Sequence, residues 1–195
     1  EDNTSMEMDM KALDRQAKEL GLSNLKNTIE GIPVYIREET IELFERNGVL
    51  TRNELYSRFK VYSDRYNKQT NIEISTAIRM ARNEIYPCVI KYVTNISQMI
   101  NSVREALKEE GYQFDKEHLI KVINFKNQLK NCITDLNEGL KVATAIAENM
   151  ERACYYNNEL VPMLNQMRYV VDSLELLADK TVWPIPTYYD LLFRL

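Results

Sequence analysis

The side chains with the chemistry to act on a substrate are few and scattered. His118 is the only histidine. A helix-borne di-iron centre needs two Glu-x-x-His units on facing helices, and Asp115-x-x-His118 is one imperfect half with no second histidine to complete it. Histidine-ligated zinc and haem sites lack ligands in the same way, so His118 reads as a solvent-exposed residue near a helix start. Cys88, Cys132 and Cys154 are widely spaced, contain no C-x-x-C and fall on or near apolar positions. A cysteine nucleophile needs a base beside it, so the three read as core thiols kept reduced. Neither G-x-x-x-x-G-K-[ST] nor G-x-G-x-x-G occurs, so no nucleotide-binding loop is encoded in this stretch. Lys116, Lys121, Lys126 and Lys130 follow one another along one segment. Glu117, four residues before Lys121, suits a solvated, ion-paired face better than an anion-binding stripe. The expectation is no catalytic, no cofactor-binding and no metal-binding residue in this chain.

Composition narrows the classes further. The 195 residues carry 25 basic and 29 acidic side chains, a net charge of −4, and no two basic residues are adjacent. A nucleic-acid binder driven by bulk positive charge is excluded. No run of 18 apolar residues exists and no signal peptide opens the sequence, so neither a membrane span nor an export signal is expected. A cytoplasmic location follows as the expectation. The opening Glu1-Asp2-Asn3-Thr4-Ser5 lacks an initiator Met, which suits a fragment better than a native start.

The elements that would position any site are helical. Five Gly and five Pro leave few tight turns. Residues 11–20 form a short helical pattern closed by Gly21, and 37–47 another, stopped at Asn47-Gly48. Thr51-x-x-Glu54 is a capping box ahead of an apolar-periodic run. Leu55, Phe59, Tyr62 and Tyr66 step 4-3-4, the register slips near 67–71, and Ile74, Ile78, Ala81 and Ile85 resume it before Pro87. A kink or break is expected at 83–86. Val89 to Leu107, Leu129 to Cys154 and Leu160 to Leu177 each hold alternating steps of three and four. Gly111 ends the first of these, Asp115 caps the next, and Asn157-Asn158 supplies a turn. Nothing alternates at period two. The fold class is therefore all-α, a bundle of long antiparallel helices. Residues 1–10 are an acidic start, disordered or foreign to the native chain. Residues 11–50 are short helices and loops, 51–181 the long-helix bundle, and 182–195 an extended Trp/Pro-rich tail.

Tyrosine is abundant, at 12 residues, and suits the wet rims of bundles and interfaces. The tail Trp183-Pro184-Ile185-Pro186-Thr187-Tyr188, with Leu191-Leu192-Phe193, costs free energy if exposed. Trp183, Pro184, Pro186, Tyr188, Leu192 and Phe193 are accordingly the candidate docking residues, against the bundle itself or a neighbour.

Several blocks, in order along the chain, resemble the C-terminal region of type III glutamine synthetases, the large bacterial form. They are Gly21-Leu22-Ser23-Asn24-Leu25-Lys26-Asn27-Thr28; Ile41 to Val49 with Thr51 to Arg58; Asn71-Ile72-Glu73; Ile85 to Ile90; and Trp183 to Tyr188 with Leu191-Leu192-Phe193. The resemblance covers almost all of 11–193. Tyr86, Cys88 and Ile185 depart from the family pattern by swaps that keep the packing logic, and 95–160 matches only as generic helix. The resemblance implies a parent enzyme that makes glutamine from glutamate and ammonia, phosphorylating the γ-carboxylate with ATP and Mg2+ before ammonia displaces phosphate. It places the reacting residues in an upstream catalytic domain of the same chain and implies a ring-based homo-oligomer, a dodecamer. A free-standing helical interaction or sensor module is the alternative, and a cofactor-bearing bundle enzyme a third reading.

Overall fold

The computed structural model describes residues 15–17, 19–107, 112–186 and 188–193. It is 84% helical, with no strand among the described residues. Two compact units follow one another in sequence, Glu1–Arg65 and Tyr66–Leu195.

In the first unit, Leu22 N–H reaches back to the Ala17 carbonyl at 2.8 Å across Gly21, whose φ of 71° only glycine adopts readily. Helix α1 (Thr28–Gly31) is capped by the Asn27 side chain accepting from Glu30 N–H, and Ile32–Ile36 continues as a 3-10 turn opened by Pro33. Helix α2 (Glu38–Arg46) carries acidic residues in its first turn and Arg46 in its last, which suits the helix dipole. Helix α3 (Arg52–Met80) begins with the expected capping box: Glu54 accepts from Thr51 N–H and Oγ1, both at 2.8 Å, and Glu54 N–H returns to Thr51 Oγ1 at 3.4 Å. Ile29, Ile32, Ile41 and Leu55 are buried, and the Tyr35 and Tyr62 rings meet at 5.4 Å. Glu38 and Arg52 pair at the surface, where such pairs contribute little.

In the second unit, α3 runs on without a register slip. Polar residues hold the inward stripe where apolar ones were sought: Asn67 and Thr70 are buried, and Ile74, Ile78 and Ala81 follow. Instead of a break before Pro87 there is a π turn, Ala81–Ile85, in which Tyr86 N–H bonds the Ala81 carbonyl. The wide turn accommodates a proline ring and its missing donor without ending the helix. Helix α4 (Tyr86–Leu107) continues directly.

Helix α5 (Gln113–Ala145) is the centre of the unit and packs against both α4 and α7. Its N-cap is Tyr112, with Asp115 inside the first turn, so Asp115 is not the cap. The chain breaks at 146–148, earlier than expected. Helix α6 (Asn149–Tyr155) restarts under the Glu148 carboxylate, which accepts from Glu151 N–H at 2.5 Å. Asn157-Asn158 is not a turn: it lies inside a second π turn, Tyr156–Leu160, that leads into α7 (Val161–Leu177). Here again the residue before a proline, Val161, donates five residues back, to the Tyr156 carbonyl. Val122, Leu129, Leu136 and Ala143 of α5 join Ile74, Val89, Leu160, Val170 and Leu174 in one core. The short α8 (Tyr188–Leu192) closes the described chain. The helix ends expected at 108–111, and residues 1–14, lie outside the described residues.

Carboxylates at three chain reversals are held below their ordinary range. Backbone N–H donors and a hydroxyl do this for Glu54 and for Asp179, and backbone N–H donors of Met150 and Glu151 for Glu148. A lowered folded-state pKa means that the stabilisation is complete above the unfolded value, about 4, and is lost as pH falls through the folded value. The urea midpoint is therefore expected to fall as pH drops from about 5 toward 2 to 3. Glu54→Gln and Glu148→Gln together should flatten part of that slope. An unchanged slope in the double variant would assign the acid sensitivity to other carboxylates.

Candidate functional site

The sequence-selected tail divides in two. Trp183 is 9% exposed and belongs to the core of the second unit, with Val182 and Ile185 half-buried against it. Local structure sets its position. Asp179 Oδ1 accepts from Thr181 N–H at 2.7 Å and Thr181 Oγ1 at 2.8 Å, and the Asp179 carbonyl accepts from Val182 N–H and Trp183 N–H at 3.1 and 3.2 Å. That tight reversal turns the chain straight from the end of α7 into the core. Cys88 Sγ donates to the Val182 carbonyl at 2.9 Å, so a thiol of α4 secures the same strand of chain. Burial pushes the Cys88 thiol upward. Lys180 Nζ bonds Asp190 Oδ1 at 3.0 Å and ties α8 to the reversal. Beyond it the apolar end faces outward: Leu192 and Phe193 are 74% and 66% exposed, and Pro184 and Pro186 are exposed. Tyr188 lies in α8.

A cleft of about 510 Å³ lies beside this tail. One wall is the first π turn with the end of α3 (Ala77, Met80, Ala81, Ile85), the other is α7 (Leu164 to Glu175), and Trp183, Ile185, Pro186 and Leu191 close it. Its size is that of a small-molecule site, and most of its lining is apolar. The polar lining comes from α7 alone: Asn165, Arg168, Asp172 and Glu175. Arg168 Nε stands 3.9 Å from Asp172 Oδ2 on the exposed rim. Glu175 is half-buried.

The other residues singled out by type are dispersed. His118 is half-buried rather than exposed, because Tyr92 of α4 covers it: Tyr92 Oη and His118 Nε2 are 3.0 Å apart, with the rings edge to face. Glu117 accepts from Gln113 Nε2 at 3.2 Å, not the partner expected from spacing. Cys88 is buried and Cys132 and Cys154 half-buried, all as free thiols. Among the described residues no group of three or more His, Cys, Asp or Glu could hold a metal, and no helix is long and apolar enough to cross a membrane.

One polar feature escaped reading by type. Asn67 Nδ2 donates to the Asn149 carbonyl and Asn71 Nδ2 to Tyr156 Oη, both at 2.8 Å. The two amides tie α3 to the start of α6 and to the second π turn. Asn67 Oδ1 is buried with no hydrogen-bond partner among the described residues. Such an orphan costs on the order of 1–3 kcal/mol. Its only trace in the sequence is the apparent gap in apolar spacing at 67–71.

Residues 11–104 match the family described as the glutamine synthetase C-terminal domain. The chain is 28% identical over 180 residues to a glutamine synthetase of Butyrivibrio fibrisolvens, covering 92% of this chain and 26% of the relative. It is 27% identical over 183 residues to a type-3 glutamine synthetase of Dictyostelium discoideum, covering 91% and 25%. A glutamine synthetase of Bacteroides fragilis is 27% identical over 183 residues, covering 92% and 25%. The chain thus spans about a quarter of the length of the curated relatives it matches.

Proposed function

We infer that this chain is the C-terminal region of a type III glutamine synthetase and acts as a non-catalytic helical domain of that ATP-dependent glutamate–ammonia ligase. Its role is to brace the catalytic domain and to join subunits. The observation that carries this reading is the match itself: it takes in more than nine-tenths of this chain but about a quarter of each relative. The bulk of each relative, and with it the room for a catalytic domain, lies outside the matched part. The side chains agree with this division of labour. His118 is engaged by Tyr92, and the thiols are buried or half-buried.

ATP and Mg2+ belong to the parent enzyme on this reading. The described residues offer no donor set for a divalent ion, so no chemical step is assigned to them. The parent would work in the cytoplasm on glutamate and ammonia, as a homo-oligomer whose size by family analogy is a dodecamer.

The tail provides the test. Deleting 182–195 in the full enzyme removes Trp183 from the core and the exposed Leu191-Leu192-Phe193 end at one stroke. Light scattering is expected to report smaller assemblies, and calorimetry an earlier melt. Unchanged assembly and unchanged melting would refute the bracing role. So would micromolar binding of ATP or glutamate by the isolated chain.

A further inference from the structure

We propose that the cleft beside the tail is a binding site for a hydrophobic amine, a molecule with an apolar body and one protonated nitrogen. This goes beyond the assembly role and does not depend on it. Three observations converge. The cleft holds about 510 Å³, within the range of small-ligand pockets. Its lining is mostly apolar and adaptable, with Met80 and Met167 on its two walls and a π turn at its edge, a feature frequent at functional sites. Its charge is one-sided. On α7, Arg168 and Asp172 stand 3.9 Å apart on the exposed rim, whereas Glu175, one turn further on, is half-buried and takes no part in the ion pairs among the described residues. Trp183 lines the same space.

A carboxylate-bearing residue and a tryptophan bordering one apolar cavity are a pairing that suits an ammonium group. The carboxylate supplies charge, and the ring supplies its negative face. A neutral apolar molecule would fill the cleft but leave the Glu175 charge unanswered. An anion would meet two carboxylates against one guanidinium in the lining.

The single tryptophan makes the site observable, since Trp183 emission has no other source in this chain. The probes are octylamine and its neutral counterpart 1-octanol. Octylamine is expected to shift Trp183 emission saturably, with half-saturation at roughly 0.1–1 mM. It should bind about fivefold more tightly than octanol. Glu175→Gln, a near-isosteric change on a half-buried surface, should erase that preference and leave octanol binding intact. Ala77→Phe should fill the cleft and weaken both probes, with far-UV circular dichroism to confirm the fold and isothermal calorimetry as a second readout. A change that fails to saturate, equal binding of the two probes, or a preference that survives Glu175→Gln would overturn the assignment. The probe comparison on the unmodified chain stands whether or not Ala77→Phe folds.

Discussion

Trp183→Ala is expected to lower the unfolding free energy by about 3–5 kcal/mol, the cost of emptying a large aromatic site in a packed core. Trp183 is 9% exposed and shares its cluster with Cys88, Val89 and Leu174. Its removal leaves a void that the rest of the tail cannot fill, because Pro184 and Pro186 restrict the backbone on the C-terminal side. The effect should also be local. With the anchor gone, the Val182 carbonyl loses its fixed place above Cys88 Sγ, and the thiol is uncovered. Alkylation of Cys88, followed by peptide mapping, should therefore speed up well below the melting temperature, while Cys132 keeps its original rate. Trp183→Phe, which retains an aromatic ring, should recover most of both effects. A melt and a Cys88 rate that do not move in the alanine variant would mean that the tail does not contribute to the core.

The helices were legible in the sequence because burial imposes period. Leu129, Leu136 and Ala143 of α5 face one way because seven residues make nearly two turns, and all three are fully buried. Thr51 and Glu54 were legible because a capping box is closed by residues three apart. The family resemblance was likewise visible in short ordered blocks, and the comparisons bear it out. Other features were not legible, each for a physical reason. Pro87 signals disturbed hydrogen bonding but does not say how the chain resolves it. A break and a π turn start from the same missing N–H, and only packing against α5 selects the latter. Asn157-Asn158 has turn composition, yet the core contacts of Tyr156 and Leu160 on either side override it. The break at 146–148 carries neither Gly nor Pro and gave no signal. The cleft was illegible in principle: its walls lie about ninety residues apart in sequence, and its most informative residue, Glu175, reads in a helix as one more solvated charge.

The contact of α5 with the second π turn yields the other large effect. Gly139 is buried in mid-helix, where glycine costs about 1 kcal/mol relative to alanine. The reason for a glycine is spatial. A methyl placed there would overlap the Leu160 Cδ2 methyl and would lie 3.7 Å from Leu160 Cγ and 3.8 Å from Tyr155 Oη. Leu160 is itself fully buried, so its side chain has nowhere to withdraw. Gly139→Ala should therefore destabilise by about 1–2 kcal/mol, the overpacking cost less the gain in helix propensity. Leu160→Ala alone should cost about 2–5 kcal/mol as a buried truncation. In the double variant the new methyl enters the space that Leu160 vacates, and the overlap disappears while the propensity gain remains. Gly139→Ala should then turn neutral or stabilising, giving a coupling of about 1–3 kcal/mol between two sites in contact. Chemical denaturation of the four proteins in the cycle measures this directly. Strict additivity, or a Gly139→Ala variant more stable than the parent in the presence of Leu160, would mean that α5 and the π turn are not held at the close approach that the glycine permits.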